Sequence, residues 1–413
     1  MKLHNGTLYW PTTNSIELIV KSPKQPKKQY DAIVIGGGIS GCLTAFRLLK
    51  QGLSVAIIDQ RHFGHGSTAA NTGLLQYSND IMLSELIQQI GEKEAIRFYQ
   101  LCFEALDDIE KIVNELPHEV DFQRRPSIYF ASNQSDAVKL RTEYEALYMN
   151  HFPCEFWDES TLSFYMPFKK PAALVTLRDA EINPLKFITS LLNYLQDHGV
   201  DLFEETVVTD TSYENQLVQL KTTTHLFQAR DVVYTIGYEK KHNAKKDDAT
   251  FKRSYVMVTK PIQSSTHWHE KAMIWETKRP YLYLRTTAEG AIMVGGLDEK
   301  LSEATVDKKM IENYAQKLLK ETQSLFPHLE LEVDCCYAST FAESKDQLPF
   351  IGPHPTKPHH YYVLGYGGNG TVYSALGSKM ISDLIAGSEN YDAHIVSPQR
   401  KVETDSLPFF SIA

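Results

Sequence analysis

The sequence contains few cysteines and no long run of uncharged apolar residues. Only 5 of the 413 residues are cysteine, a low and odd count that is atypical of disulfide-stabilised secreted domains and favours a reducing compartment. A membrane-spanning helix needs about 18 or more consecutive apolar residues, and no window approaches this length, so we expect no transmembrane segment. The N-terminus also lacks the apolar core of a secretory signal. We therefore expect a cytoplasmic protein.

An excess of positive charge is also missing. The formal net charge is −9 at pH 7, so the basic surface of a general nucleic-acid binder is not expected. The histidines lack acidic or thiol partners at the spacing of metal ligands, so no metal site is expected. The chain does have length: 413 residues, of which 42% are hydrophobic, are enough for two or three domains with sizeable cores.

A β-α-β unit stands near the start of the chain. The pattern predicts a buried strand over Tyr30–Ile35, a glycine turn over Gly36–Gly41, a helix over Ile39–Gln51 and a second strand over Ser54–Asp59. Connections of this kind join parallel strands. The turn fits G-x-G-x-x-G, which binds a dinucleotide pyrophosphate at a helix N-terminus.

Each glycine of this turn has a physical role in such a site. Gly36 permits the tight turn, Gly38 lets the backbone approach the pyrophosphate, and Gly41 lets helix and strand pack closely. Asp59 ends the second strand at close to the spacing expected of a carboxylate that binds a ribose 2′-hydroxyl. The motif does not distinguish FAD from NAD, and a plain glycine turn is the structural alternative.

The nucleotide-binding pattern is interrupted and resumes twice, which predicts two interleaved domains. We expect an irregular leader, which Trp10-Pro11 could anchor, and a C-terminal tail. The predicted segments are 1–29 for the leader, 30–80, 183–240 and 340–390 for the nucleotide-binding domain, 81–182 and 241–339 for a second domain with a mainly antiparallel sheet, and 391–413 for the tail.

Further glycine-rich segments follow the first turn. In Gly64–Gly73 the short side chains of Ser67, Thr68 and Asn71 could hydrogen-bond phosphate and hydroxyl oxygens, although a hydrophilic surface turn is the alternative. A late loop, Gly367–Gly370, opens the last helix and directs its positive end outward, although an ordinary helix start behind glycines is again possible.

Six motifs in order resemble the FAD-dependent oxidoreductases of the D-amino-acid oxidase, glycine oxidase and sarcosine oxidase group, from about Tyr30 to Gly387. They are the glycine turn with Asp59; 64–73; 182–184 with 204–208; 232–237; 283–285 with 294–296; and 346–352 with 365–370.

The resemblance implies a fold that combines α/β and α+β parts, with a Rossmann-like FAD-binding domain interleaved with a mainly antiparallel-sheet substrate domain. Because Gly365–Thr371 has no cysteine, we expect FAD to be held non-covalently. The implied cofactor residues are Gly36, Gly38, Ile39, Ser40, Gly41, Asp59, Gln60, Arg61, Gly66, Ser67, Thr68, Asn71, Thr72, Gly73, Leu74, Val207, Val208, Thr235, Gly237, Tyr238, Gly352, Gly367, Gly368, Asn369, Gly370 and Thr371.

The resemblance also implies a reaction. Flavin N5 takes a hydride from the carbon that bears the substrate amine, and the resulting imine is hydrolysed. The substrate would be a small amine or amino acid, and the electron acceptor oxygen or a quinone. A positive helix end at Gly367–Gly370 would stabilise the reduced flavin.

The sequence departs from the family at the substrate side. The arginine that holds a substrate carboxylate is absent at the nearest matching position, Thr340, and no lysine occurs on the strand Ala291–Val294. We expect Arg285 to be the best substitute carboxylate ligand, with a structural ion pair equally open. The hydroxyls of Tyr255, Tyr283 and Tyr337 are further candidates, although core packing is favoured for each.

Two other readings stay open. One is a nicotinamide-dependent dehydrogenase, against which the late glycine loop and the interleaved domains argue. The other is a non-catalytic flavoprotein scaffold, which the missing arginine and lysine motivate. The sequence determines neither the substrate, the acceptor nor the oligomeric state.

Overall fold

The computed structural model of the chain describes residues 3–238, 249–262, 267–300, 306–365 and 367–401. The predicted domain boundary at 240 and the part of the predicted tail beyond 401 lie outside these ranges. The same holds for Tyr366 within the late glycine loop.

The described helices fall in chain order as follows: α1 Trp10–Thr13, α2 Ile39–Lys50, α3 Leu83–Ile90, α4 Glu92–Glu115, α5 Gln134–Met149, α6 Glu159–Tyr165, α7 Pro184–Asp197, α8 Lys308–Leu325 and α9 Gly370–Ile385. The described strands are β1 His4–Gly6, β2 Tyr30–Ile35, β3 Val55–Ile58, β4 Leu74–Leu75, β5 Gln123–Phe130, β6 Cys154–Asp158, β7 Ala172–Glu181, β8 Asp201–Phe203, β9 Val208–Glu214, β10 Leu217–Thr222, β11 Leu226–Tyr234, β12 Ala249–Thr259, β13 Met273–Glu276, β14 Leu282–Thr286, β15 Ile292–Lys300, β16 Val333–Ser344, β17 Phe350–Pro353 and β18 His360–Leu364.

The first sheet has the order β17-β18-β11-β2-β3-β8, with β9 and β10 extending from β11 as an antiparallel meander. The strand pairs β11–β2, β2–β3, β3–β8 and β11–β18 are parallel. Along β2, Ala32 and Val34 pack in one core with α2, whereas Ile33 and Ile35 pack in another with β9–β11. Both faces of the strand are thus buried, as a parallel sheet requires. The predicted β-α-β unit is present with its predicted bounds shifted by at most one residue at each end.

The second sheet has the order β1-β16-β12-β15-β14-β13-β5-β7-β4, with β6 beside β7. Its pairs are antiparallel except for β13 with β5. Helix α8 packs against β12, β15 and β16. The combination of a Rossmann-like sheet with a mainly antiparallel sheet confirms the predicted fold class.

Three strands cross the domain boundaries proposed from the sequence. The predicted leader contributes β1, whose His4 pairs with Ser339 of β16. Strand β4 belongs to the second sheet, because Leu74 pairs with Glu181, and β16 continues past 340 to Ser344. The segments therefore interleave more tightly than the pattern of hydrophobic residues indicated.

The N-terminal segment is anchored through Trp10. Its side chain is 1% exposed, and its Nε1 donates to the carbonyl of Asn71 at 2.5 Å. The ring also lies under the guanidinium of Arg285, 5.5 Å from the centroid. Residues that precede the first sheet thereby support the loop that contains Asn71.

Replacing Trp10 with alanine should lower the free energy of unfolding by about 3–5 kcal/mol, because a buried indole leaves a cavity behind. Urea denaturation followed by circular dichroism measures this change. The control is Tyr391→Ala, since Tyr391 is 82% exposed, and its effect should stay within about 0.5 kcal/mol. Equal effects of the two substitutions would contradict the anchoring role.

Candidate cofactor and substrate site

A cleft runs between the two sheets and takes its lining from both. From the first sheet come the glycine turn after β2, the end of β3 and the loop that leads to β4. From the second sheet come residues of β12, β13, β14, β15 and β16. The loop before α9 lines the same cleft, so the early and the late glycine segments share one site.

The glycine turn has the geometry that its sequence predicts. Gly36 has a φ of +113°, and a Cβ there would collide with the carbonyl of Thr235. A Cβ on Gly41 would likewise collide with the carbonyl of Gly36, so the third glycine allows α2 to pack against the strand end. Gly38 precedes α2 without a side-chain cap of its own. The Ile39 N–H donates to the Thr68 hydroxyl, and the other backbone N–H groups of the first turn have no partner within the helix and are left for a ligand.

Asp59 lies at the end of β3 and lines the cleft. Its carboxylate accepts the N–H of Gly37 at 2.7 Å and that of Arg61 at 2.8 Å. Burial raises the pKa of this carboxyl, and the two backbone N–H groups oppose the shift. The side chain is therefore fixed in orientation at the edge of the cleft, where a ribose hydroxyl is predicted to bind.

The loop after β3 reaches back to both helices that start at the cleft. The hydroxyl of Thr68 accepts the N–H of Ile39 at 3.2 Å. Asn71 Nδ2 lies 3.4 Å from Thr371 Oγ1, in the first turn of α9. The hydroxyls of Ser40 and Ser374 are hydrogen-bonded at 2.6 Å. These contacts hold the N-termini of α2 and α9 at one site.

The late loop is held by side chains near β4. Asn369 Nδ2 donates to the carbonyl of Gln76 at 2.6 Å and to Asn79 Oδ1 at 3.0 Å. The N–H of Gly368 donates to Asp80 Oδ2 at 3.0 Å. Because Asn369 does not cap the helix with its side chain, the first N–H groups of α9 have no partner within the helix. They are available to an electron-rich group in the cleft.

Aromatic side chains line the cleft on the second sheet. Trp275 of β13 stacks on Tyr129 with 3.6 Å between centroids, and its ring lies 6.5 Å from that of Tyr281. Tyr281 in turn lies 5.7 Å from Tyr283. Burial raises the pKa of Tyr283 to about 12, so its hydroxyl stays protonated at neutral pH. Gly295 makes room for this ring, because a Cβ there would collide with it.

Three polar groups that line the cleft are buried and make no hydrogen bond: Asp298 Oδ1, Ser254 Oγ and Gln76 Nε2. The Ser254 side chain is 8% exposed. Burial raises the pKa of Asp298 to about 6, which the nearby Ser254 hydroxyl partly offsets. Unpaired buried polar atoms are costly, so these groups are available for a ligand.

Most predicted cofactor residues line the cleft, and their contact with a cofactor stays a prediction. They are Gly36, Gly38, Ile39, Ser40, Asp59, Gln60, Arg61, Gly66, Ser67, Thr68, Asn71, Thr72, Leu74, Val207, Val208, Thr235, Gly237, Tyr238, Gly367, Gly368, Asn369, Gly370 and Thr371. Gly41 and Gly73 lie behind this lining, where each packs against a backbone carbonyl. The prediction that Gly352 binds the cofactor is corrected, because this residue lies beside Pro398 and does not line the cleft.

The structure corrects the prediction for Arg285. The side chain is 1% exposed and donates to the carbonyls of Gly73 at 2.8 Å and Ile182 at 3.0 Å. Its Nε lies 3.4 Å from Glu181 Oε2, and burial lowers the pKa of the guanidinium. Arg285 lies on the same face of the sheet as Tyr283, but the loop at Gly73 covers it. Arg285 therefore binds this loop, and it is not positioned to bind a substrate carboxylate.

Two of the predicted tyrosines are also corrected. The Tyr255 hydroxyl donates to Glu299 at 2.6 Å, and its ring stacks on Tyr314 at 3.7 Å. Because side chains alternate along a strand, Ser254 faces the cleft and Tyr255 faces away. Tyr337 is fully buried, with its hydroxyl 3.4 Å from the carbonyl of Ala70. Tyr283 does line the cleft.

Sequence reasoning missed several lining residues, namely Gln76, Asp80, Ser254, Trp275, Tyr281 and Asp298. Tyr281 could have been found, because it lies two residues before Tyr283 and a strand repeats its face at that interval. Asp80 and Asp298 carry no such local pattern.

Neither a metal centre nor a membrane span emerges from the part of the chain that the structure describes. No group of three or more His, Cys, Asp or Glu side chains there could hold a metal ion. None of the described helices combines the length and apolarity needed to cross a bilayer. All five cysteines are unpaired.

The cleft fits FAD on its own geometry. Glycines clear the approach to the start of α2, a fixed carboxylate stands at the end of β3, and a second uncapped helix start lines the same cleft as the aromatic wall. A dinucleotide with a flavin ring needs this combination of a phosphate site, a ribose ligand and a positive helix end.

Comparison with known proteins gives a family match over most of the chain. Residues 31–384 match the model of the family described as DAO, FAD dependent oxidoreductase. A Bacillus subtilis (strain 168) protein called "Putative Rieske 2Fe-2S iron-sulfur protein YhfW" is 25% identical over 95% of this chain and 75% of its own length. The gamma-glutamylputrescine oxidoreductase of Escherichia coli (strain K12) is 24% identical over 88% of this chain and 85% of its own length. Among solved structures, glycine oxidase from Geobacillus kaustophilus superposes with a TM-score of 0.78 and 18% identity, over 91% of this chain and 100% of that one.

Replacing Arg285 with methionine should lower the free energy of unfolding by about 1–3 kcal/mol, because the buried carbonyls of Gly73 and Ile182 lose a charged donor and Glu181 keeps only Arg125 as its cationic partner. Chemical denaturation measures the change. The control is Arg178→Met, whose side chain is 54% exposed and pairs with Asp107; an exposed pair contributes less than about 1 kcal/mol. A variant of unchanged stability whose KM alone rises would instead restore Arg285 as a substrate ligand.

Proposed function

Because the chain belongs to the DAO family of FAD-dependent oxidoreductases, we propose that it oxidises a small amine or amino acid at the carbon that bears the nitrogen. The observation that supports this function best is the shared cleft, which is lined by two helix starts without a side-chain cap and by an aromatic wall. The relatives named for oxidation of glycine and of gamma-glutamylputrescine agree with this class of substrate.

Bound FAD supplies the acceptor for a hydride from the amine-bearing carbon, while the nitrogen lone pair forms the C=N bond. Water then hydrolyses the imine to a carbonyl compound and the free amine or ammonia. Oxygen or a quinone takes up the two electrons.

The residues at the start of α2 bind and orient the cofactor. Backbone N–H groups at Gly38 and Ile39 would hold the pyrophosphate, with the helix dipole favouring its negative charge. The Thr68 hydroxyl, 3.2 Å from the Ile39 nitrogen, would turn to a phosphate oxygen, and Asp59 would accept the ribose hydroxyl. Val207 and Val208 line the cleft as apolar neighbours for the adenine.

The residues at the start of α9 would stabilise the negative charge that the reaction places on the cofactor. A helix N-terminus carries about half a positive charge, and this charge would stabilise the negative charge of a reduced cofactor bound beside it. A fixed dipole at Gly370 and Thr371 would lower the energy of the reduction without reorganisation. Asn369 and Asp80 fix this loop, through the contacts to Gln76 and Gly368.

The aromatic wall orients the substrate and excludes water from the reacting carbon. Trp275, Tyr281 and Tyr283 form this wall. No general base is required of the protein, because a neutral amine supplies its own electron pair. The absence of a cysteine from the described lining supports non-covalent attachment, and unpaired cysteines support a cytoplasmic location.

Two alternatives are less well supported. A nicotinamide-dependent dehydrogenase would not need the late glycine loop at the same cleft. A flavoprotein scaffold without catalysis is favoured only by the absence of the family's arginine and lysine, since Thr340 stands at the arginine position and lines the cleft.

The purified protein should be yellow, with an absorption band near about 450 nm, and acid precipitation should release all of the flavin into the supernatant as FAD. Flavin that stays with the precipitate would refute non-covalent attachment. A colourless protein that binds NAD would instead support the dehydrogenase. Anaerobic addition of amines and amino acids should bleach the band, and a scaffold would show no bleaching with any of them.

Replacing Asp59 with asparagine should weaken FAD binding by about 10- to 100-fold, because the ribose hydroxyl loses a charged acceptor. Fluorescence titration of apoprotein with FAD measures the dissociation constant. The control is Asp210→Asn, which removes the same charge from an exposed position on β9. Equal dissociation constants for the two variants would contradict the role of Asp59.

A further inference from the structure

The part of the cleft that faces the second sheet is acidic. Asp80 and Asp298 line it, whereas the one Lys or Arg among all described lining residues is Arg61, which follows β3 on the cofactor side. A substrate carboxylate here would face two like charges, and no Lys or Arg among the described lining residues on this side would contact it. Burial of a carboxylate without a partner is strongly unfavourable.

The neighbouring cations are committed elsewhere. Arg279 lies outside the lining and donates to the carbonyls of Glu276 and Thr277, both at 3.2 Å. Its guanidinium lies 4.8 Å from the centroid of Tyr281. Lys252 pairs with Glu343 at 2.5 Å. Both side chains lie outside the described lining, and the charge that they carry acts on carboxylates that are already present, namely Asp80 for Arg279 and Glu343 and Asp298 for Lys252.

The two aspartates differ in what they already bind. Asp80 Oδ2 accepts the N–H of Gly368 at 3.0 Å, and its Oδ1 lies 3.5 Å from the Tyr281 hydroxyl. Asp298 Oδ1 is shielded from water and makes no hydrogen bond, and the Ser254 hydroxyl, which partly offsets the rise in the pKa of this carboxyl, makes none in good geometry either. Asp298 is therefore the acceptor in this part of the cleft that still requires a donor.

The aromatic wall favours the same type of donor. The faces of Trp, Tyr and Phe attract cations, and ammonium groups are recognised by aromatic rings in combination with carboxylates. Trp275, Tyr281 and Tyr283 form a contiguous wall beside these two carboxylates. An organic ammonium group could contact the faces of these rings and also donate a hydrogen bond to the Asp298 carboxylate.

The reaction places one condition on this cation. The nitrogen that is oxidised must be neutral, because its lone pair forms the C=N bond. A carboxylate beside it would favour its protonated form and slow the step. The charge that Asp298 binds must therefore belong to a second nitrogen of the substrate, which stays protonated throughout.

We propose that the cleft binds an amine that carries a second, protonated nitrogen and no carboxylate near the reacting carbon, with Asp298 as the residue that holds the charged nitrogen. This inference rests on the proposed amine oxidation and names its substrate class as diamines and longer polyamines.

The test uses the FAD-loaded enzyme in anaerobic stopped-flow experiments at pH 8, where the Asp298 carboxyl is ionised. Four compounds of similar length are compared: cadaverine, pentylamine, δ-aminovalerate and norleucine. Dissociation constants and limiting rates of flavin bleaching are obtained separately, and compounds that bind without bleaching are scored by the shift of the flavin band. Cadaverine should bind about 10-fold or more tightly than pentylamine, and the two carboxylates should bind more weakly still.

The variant Asp298→Asn should weaken binding of cadaverine to the level of pentylamine, while the binding of pentylamine changes by less than about 3-fold. Asp298→Ser serves the same purpose if the asparagine variant fails to fold. The matched control is Asp334→Asn, which removes a charge from an exposed position on β16 and should leave the preference for cadaverine intact.

The possible outcomes distinguish failure of the proposed substrate class from failure of the proposed amine oxidation. Tighter binding of norleucine or δ-aminovalerate than of cadaverine overturns this inference, and so does an unchanged preference for cadaverine in Asp298→Asn. In either case, bleaching of the flavin by any of the four compounds still supports amine oxidation. A flavin that none of the four compounds bleaches or shifts overturns both. A preference for cadaverine that disappears in Asp298→Asn and persists in Asp334→Asn supports the assignment.

Discussion

The organisation of this protein depends on one constraint: two helices that are far apart in the chain must begin at the same cleft. The hydrogen bond between the Ser40 and Ser374 hydroxyls, at 2.6 Å, joins α2 to α9 directly behind these starts. Glycines allow the approach, because side chains at Gly36 or Gly41 would collide with backbone carbonyls. A helix start gives its free N–H groups and dipole only to a ligand that lies within its first turn, so this junction determines where a dinucleotide can be stabilised.

The rest of the chain supports that junction from several sides. The N-terminal segment holds the loop at Asn71 through Trp10, and Arg285 holds the same loop at Gly73 from below. Asn369 ties the late loop to the backbone near β4. The positive helix ends and the acidic, aromatic wall of the second sheet thus line one cleft, and this combination of charges suits an anionic cofactor and a cationic substrate.

The sequence predicted the parts of this arrangement that are local. The glycine turn, α2 and Asp59 occur within one short stretch, so their spacing predicted the β-α-β unit, which the structure confirms, and the role of Asp59 as a ribose ligand, which stays a prediction. Arg285 was misassigned because the strand pattern places it correctly on the face of β14 that carries Tyr283 but does not show what covers it. The covering groups are the backbone carbonyls of Gly73 and Ile182, which are distant in the sequence. Asp298 was missed because nothing near it in the chain marks it. Its environment arises from strands that pair across the sheet, which binary patterning does not encode.

A crystal structure of the FAD-loaded enzyme would show whether both helix starts bind one cofactor. We expect the pyrophosphate at the N–H groups of Gly38 and Ile39, and the pyrimidine edge of the flavin within hydrogen-bond distance of the first turn of α9. We also expect the substrate face of the ring opposite Trp275, Tyr281 and Tyr283. Electron density that placed the flavin away from α9, or the dinucleotide outside this cleft, would contradict these expectations.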